Sequence, residues 1–140
     1  MSKSYRLLPA IGPENEHFWK SGADGKLCFL RCTACAYYIH PPSPVCPACL
    51  CRELSPEPVS GGGVVHTYTV NHQPWIPGFE PPYVVAIVEL DEQPGLRLTT
   101  NIVGCTPDEV RIGMRVQVSF EDLGEDIHLP LFEPARGDAK

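Results

Sequence analysis

Two C-x-x-C pairs, Cys32-Thr33-Ala34-Cys35 and Cys46-Pro47-Ala48-Cys49, stand ten residues apart in this 140-residue chain. A C-x-x-C turn brings two sulfurs toward one ion, and two such turns complete a closed tetrahedral shell of thiolates. Pro41-Pro42-Ser43-Pro44 supplies the bend between them. The spacing predicts a metal centre with Cys32, Cys35, Cys46 and Cys49 as ligands and zinc as the ion. Cys51 lies near enough to replace Cys49, at the cost of the less usual C-x4-C spacing. Tetrahedral sulfur also suits iron, as in rubredoxin-like electron carriers, and iron content separates the two. Four thiolates leave no position for a water or a substrate, so a zinc ion here folds the segment rather than catalysing. Cys28 and Cys105 sit in apolar, strand-like contexts and read as small buried hydrophobes.

Seven cysteines could also form disulfides, but their odd number and the pairing of four of them favour metal ligation. No apolar run approaches the roughly 18 residues of a membrane span, and the N-terminus shows no export signal. The expectation is a soluble, cytoplasmic protein that engages no membrane.

Charge is unevenly placed. From residue 60 to 133 three basic residues, Arg97, Arg111 and Arg115, face eleven acidic ones. Neutralising phosphates takes clustered Lys and Arg, so this half predicts no nucleic-acid partner.

Along the chain, residues 12–22 read as a short helix, with Pro13 at its first position, Glu14 and Glu16 at the positive end of the dipole and Gly22 as the stop. It carries Phe18 and Trp19, which must dock on this chain's own domain or on another protein, because so short a helix is marginal alone. A strand-like lead, Lys26 to Arg31, enters the cysteine segment, which ends near Glu57 before the Gly61-Gly62-Gly63 boundary. Beyond it the pattern alternates, with Val64, His66, Tyr68 and Val70 on one face. Strands follow at Tyr83–Leu90 and Leu96–Val103, a capping box at Thr106-Pro107-Asp108-Glu109 opens a short helical turn, and two more strands run Arg115–Glu121 and Ile127–Phe132. Three strands, a short helix and two strands match the five-stranded OB-fold barrel, with a five-stranded sandwich as competitor. The fold class expected is mostly β: an N-terminal helical segment (1–25), a rubredoxin-like zinc ribbon (26–59), an OB-fold barrel (60–133) and a tail (134–140).

The five histidines are scattered, and there is no Gly-rich phosphate loop, G-x-S-x-G or H-E-x-x-H, so no catalytic residues are assigned. The most unusual loop runs from Asn71 to Tyr83. Four prolines stiffen it and present Trp75, Ile76, Phe79 and Tyr83 at low entropic cost, either to a partner or to plug an open end of the barrel.

The chain resembles a family of zinc-ribbon plus OB-fold proteins, long catalogued as a domain of unknown function, that accompany thiolase-like enzymes acting on acyl-CoA. The resemblance covers nearly the whole chain: Phe18-Trp19 in a leading helix, Gly25-Lys26-Leu27 before Cys32, Pro41-Pro42 ahead of Cys46 and Cys49, Gly62 to Thr69, Pro82-Tyr83 opening a strand, Ile112 to Val116, and Pro130-Leu131-Phe132. It departs at Ala36, where the family often has glycine, which bears on the knuckle turn rather than on ligation. The resemblance implies a noncatalytic accessory subunit in a hetero-oligomer with a thiolase-like enzyme. A CoA ester would be the ligand of the complex, with a retro-aldol or acyl-transfer step in lipid or steroid side-chain breakdown. Phe18, Trp19 and the Trp75–Tyr83 loop would make the contacts. CoA phosphates would meet Lys20, Lys26, Arg31 or the partner. The rival readings are a single-stranded nucleic-acid-binding OB protein and the electron carrier.

Overall fold

In a computed structural model, residues 8–74 and 80–135 are described. The chain first turns at Gly12–Asn15. The Asn15 side chain accepts from the Gly12 N–H (2.9 Å) and donates to the Ala10 carbonyl (3.1 Å), closing that turn and delaying the helix. Helix α1 therefore spans Glu16–Lys20 rather than beginning at Pro13, and a 3₁₀ turn, Ser21–Asp24, continues it. The stop is Gly25, left-handed at φ 74° with its N–H on the Gly22 carbonyl, three residues beyond the expected Gly22. Gly22 is required for a different reason: a Cβ there would lie 2.6 Å from both His128 Cβ and Phe120 Cδ1, because the turn presses directly on the barrel.

Strand β1 (Leu27–Cys32) is flanked by β2 (Tyr38–Ile39) and β3 (Leu54–Val59) in a three-stranded antiparallel sheet. The sequence reading did not identify β3, whose Leu54-Ser55-Pro56-Glu57-Pro58-Val59 looks like loop. It is an edge strand, and Pro56 and Pro58, facing Leu30 and Cys28, share one parity, so the missing N–H groups fall on the solvent side.

The remaining strands are β4 (Gly62–Asn71), β5 (Tyr83–Leu90), β6 (Arg97–Ile102), β7 (Arg115–Gly124) and β8 (Ile127–Pro134). They close into a barrel of order β4-β5-β6-β8-β7, the OB-fold connectivity. The Thr106–Glu109 capping box forms as expected around a 3₁₀ turn. In β4 the register shifts between Val65 and Thr67, a bulge at His66, so Val65 is buried while Tyr68 and Val70 return to the core side. The simple alternation expected, with Val64 and His66 on the face of Tyr68, is corrected by that extra residue.

One apolar core runs through all three parts: Phe18 from α1, Leu27, Phe29 and Tyr38 from the ribbon, and Val65, Val88, Val116 and Phe132 from the barrel. Only the cysteine end of the ribbon has its own small cluster, Cys32, Ile39 and Cys46. The junction is also hydrogen-bonded. Gln93, in the β5–β6 turn, accepts from the Tyr38 N–H (2.8 Å) and donates to the Tyr38 carbonyl (3.0 Å), so its side-chain amide takes the place of a neighbouring strand residue beside β2.

Candidate metal centre and the groove beside it

The first knuckle turns at the end of β1, where the Ala36 N–H meets the Cys32 carbonyl at 2.8 Å. The second repeats it, Leu50 N–H to Cys46 carbonyl at 2.8 Å. Both turns close through a left-handed residue, Ala36 at φ 69° and Leu50 at φ 66°. The turn therefore forms without the glycine often found after the second cysteine, at a steric cost of roughly 1 kcal/mol per residue. The Arg31 guanidinium braces the first knuckle, donating to the Ala36 carbonyl (2.8 Å) and lying 4.4 Å from the Tyr38 ring centre.

The four Sγ atoms of Cys32, Cys35, Cys46 and Cys49 all lie within 4.8 Å of one another. Cys32 and Cys49 are 3.6 Å apart, Cys35 and Cys46 3.7 Å. Zinc–sulfur bonds near 2.3 Å in a tetrahedron require sulfur–sulfur separations of about 3.8 Å, so the donor set fits a structural zinc. Cys51 stays outside it, its sulfur taking the Glu53 N–H at 3.3 Å.

Electrostatics agree with a cation site. The Cys35 amide, with help from that of Ala34, holds the Cys32 thiol down at about 6, where it ionises readily. At Cys49 the Cys51 amide favours the thiolate, yet the neighbouring thiols, Cys32 foremost, and burial together outweigh it and push this thiol up to about 12. Ionising all four sulfurs at this spacing requires a central positive charge.

Of the residues expected to meet a partner, Phe18 is 5% exposed, stacked on Phe29 (6.0 Å) and His40 (5.0 Å), so its docking is within this chain. Trp19 meets Phe18 edge-on at 4.8 Å but is only partly buried. Tyr83 opens β5, half-buried. Trp75, Ile76 and Phe79 lie outside the described residues. Trp19 lines a 470 Å³ cavity with Phe18, His40, Pro41, Pro42 and Leu98, a site at the junction of helix, ribbon and barrel that no sequence motif marked.

Two of the barrel's three arginines are paired, Arg115 bidentate with Asp91 (2.8 and 2.7 Å) and Arg97 with Glu89 (2.9 Å). Each guanidinium holds its carboxyl below the usual range. A barrel whose few cations are neutralised in this way makes a poor track for a phosphate backbone.

Comparison with known proteins places these parts in a family. Residues 19–55 match the model described as the rubredoxin-like zinc ribbon domain of ChsH2, and residues 56–121 the model of the ChsH2 C-terminal OB-fold domain. The chain belongs to the ChsH2/DUF35 family. Among solved ChsH2/DUF35 structures, a chain of the Ltp2-ChsH2(DUF35) aldolase superposes with a TM-score of 0.81 at 41% identity, covering 91% of this chain and 98% of that one. A DUF35 domain-containing scaffold protein of Methanocaldococcus jannaschii is 40% identical over 99 residues, 69% of each chain. Two longer relatives contain the ChsH2/DUF35 region as a part. The "Probable enoyl-CoA hydratase alpha subunit" of Thermomonospora curvata is 41% identical over 95% of this chain, which spans 41% of its length. The 3-oxo-4,17-pregnadiene-20-carboxyl-CoA hydratase alpha subunit of Mycobacterium tuberculosis is 40% identical over 54% of this chain and 23% of its own.

Proposed function

We propose that this protein is a noncatalytic accessory subunit that docks on a thiolase-like enzyme acting on acyl-CoA, in a hetero-oligomer that carries out a retro-aldol or acyl-transfer step. The observation that carries the reading is the near full-length correspondence, at 41% identity, with a chain solved as part of an aldolase. The geometry is compatible with it. The thiolate shell is closed, which suits a metal that folds the ribbon, and none of the known catalytic motifs sought in the sequence is present. The substrate class, a CoA ester of a lipid or of a steroid side chain, is supported by the names of the two hydratase relatives. Free thiols awaiting a metal persist in a reducing compartment, so the proposed location is the cytoplasm.

Affinity purification of the tagged protein from its native host, with mass spectrometry of what remains bound at moderate salt, tests the reading. A thiolase-like enzyme in near-equal amount is the expected result, and nucleic-acid machinery or no partner in its place would overturn it. Titration of the isolated chain with CoA adds a second arm: tight binding without the partner would contradict a purely partner-dependent role.

A further inference from the structure

Between β6 and β8 the barrel is closed by one ladder pair, Ile102 with Phe132, with the Val103 N–H on the Phe132 carbonyl at 2.8 Å. The reason the parallel ladder goes no further is chemical. Its next step toward the start of β8 would need an N–H from residue 130, which is Pro130. The Thr100 hydroxyl donates to the Pro130 carbonyl instead, at 3.0 Å. Below that point the two strands run without main-chain pairing among the described residues.

The alternation of β6 fixes which groups this leaves open. Leu96 offers its carbonyl to Leu90 of β5 (2.8 Å), and Val103 turns its N–H to β8. Even-numbered residues therefore pair with β5, and odd-numbered ones face the seam. Thr99 is exposed, and its main-chain N–H and C=O point into the gap. Two cavities meet at this point, sharing Thr99, Leu129 and Pro130. The larger, 470 Å³, is walled by Phe18, Trp19, Pro41 and Pro42; the other, 310 Å³, continues past Tyr83 and Val85. At the far end Arg97 uses Nε on Glu89, and its Nη groups have no partner among the described residues.

We propose that this seam is a strand-addition site: an extended segment of the enzyme subunit lies along β6 from Arg97 toward Asn101, pairs its main chain with that of Thr99, sets an apolar side chain against Trp19 and Pro42, and brings a neutral hydrogen-bond acceptor to the Nη groups of Arg97. An occupant with alternating main-chain donors and acceptors is what an open strand edge selects, and at about 3.3 Å per residue the groove holds four or five residues. Side-chain pockets beside the edge select which segment binds. The inference rests on the accessory-subunit reading and deepens it by naming the surface and the form of the partner's contact.

The test uses the full chain with the thiolase-like subunit recovered in the purification above. Amide hydrogen exchange at Thr99 is expected to slow at least about tenfold in the complex. Thr99→Pro deletes the N–H at a position where an edge strand tolerates proline, and is expected to weaken the complex by about tenfold or more, while Thr99→Ala, which keeps the main chain, stays within about twofold. Circular dichroism and the urea midpoint establish that both variants fold. If no complex forms at all, the accessory-subunit reading falls. If the complex forms with Thr99 exchange unchanged and Thr99→Pro binds normally, this inference alone falls. Protection of Thr99 by CoA alone, or by self-association without the subunit, would also overturn it, assigning the edge to the pantetheine amides or to a second copy.

Discussion

Ala36 and Leu50 hold the two knuckles in a backbone conformation that favours glycine, and Leu50 does so at 74% exposure. Among the described residues nothing requires a leucine there. Ala36→Gly is expected to raise stability by roughly 0.5–1 kcal/mol, read from the urea midpoint of the metal-loaded protein. The opposite sign applies at Gly22, whose added Cβ would collide with His128 and Phe120. Gly22→Ala should cost about 1–3 kcal/mol in the same measurement, as other overpacked sites do. The clustering of the four thiols was legible at this scale because their spacing states their geometry. The role of Gly22 was not, since a close approach between residues about a hundred positions apart leaves no trace in local sequence. The sequence reading of Gly22 as the helix stop identified an important glycine and attached the wrong reason to it.

Among the elements, the contact of α1 with the ribbon is the one that responds to acid. His40 stacks on Phe18 at 5.0 Å and leans on Phe29 at 4.8 Å, its Nδ1 buried without a hydrogen-bond partner among the described residues, and burial lowers its pKa to about 4, with His17 adding a smaller repulsion. A group whose folded pKa is lowered binds fewer protons folded than unfolded. Its contribution is therefore intact above the unfolded value near 6.5 and is lost as pH falls from there toward 4, by up to about 3 kcal/mol. The paired carboxylates of Glu89 and Asp91 begin to lose their contribution only as pH nears their ordinary values of 4.5 and 3.8, so the earlier part of the decline belongs to His40, with a lesser share from His17, whose pKa burial also lowers. Urea unfolding of the metal-loaded protein between pH 7 and 5 should show falling stability, and His40→Phe, which keeps a stacked ring, should flatten that slope. A slope unchanged in the variant would assign the acid response elsewhere. Strands with uninterrupted apolar patterns, β5 above all, could be read directly from sequence. β3 could not, because its two prolines signal loop until a neighbouring strand shows which side their nitrogens face. The His66 bulge was equally hidden, since pairing register belongs to two strands at once.

Taken whole, the molecule joins an end built around four cysteines to one built on a shared apolar core. The cysteine end has three buried residues of its own, whereas the rest of the ribbon shares the barrel's core. Structural zinc sites supply apparent binding energies of about 10–16 kcal/mol, far more than such a cluster. A strong chelator, or Cys32→Ala, should therefore open residues 32–54 to protease while the barrel keeps its β-sheet circular dichroism. Undiminished resistance to cleavage after metal removal would refute a folding role for the ion. At this scale the order of strands along the chain was enough to expect a closed five-stranded barrel, and closure through β6 and β8 matches it. The shared core was beyond reach, because Leu27 and Phe29 look like any strand residues until their neighbours across the junction are known. The two hydrogen bonds from Gln93 to Tyr38 give that junction a further property. A paired amide resists both twist and slide, so ribbon and barrel should tumble in solution with a single rotational diffusion tensor, and an enzyme bound to either one would feel the orientation of the other.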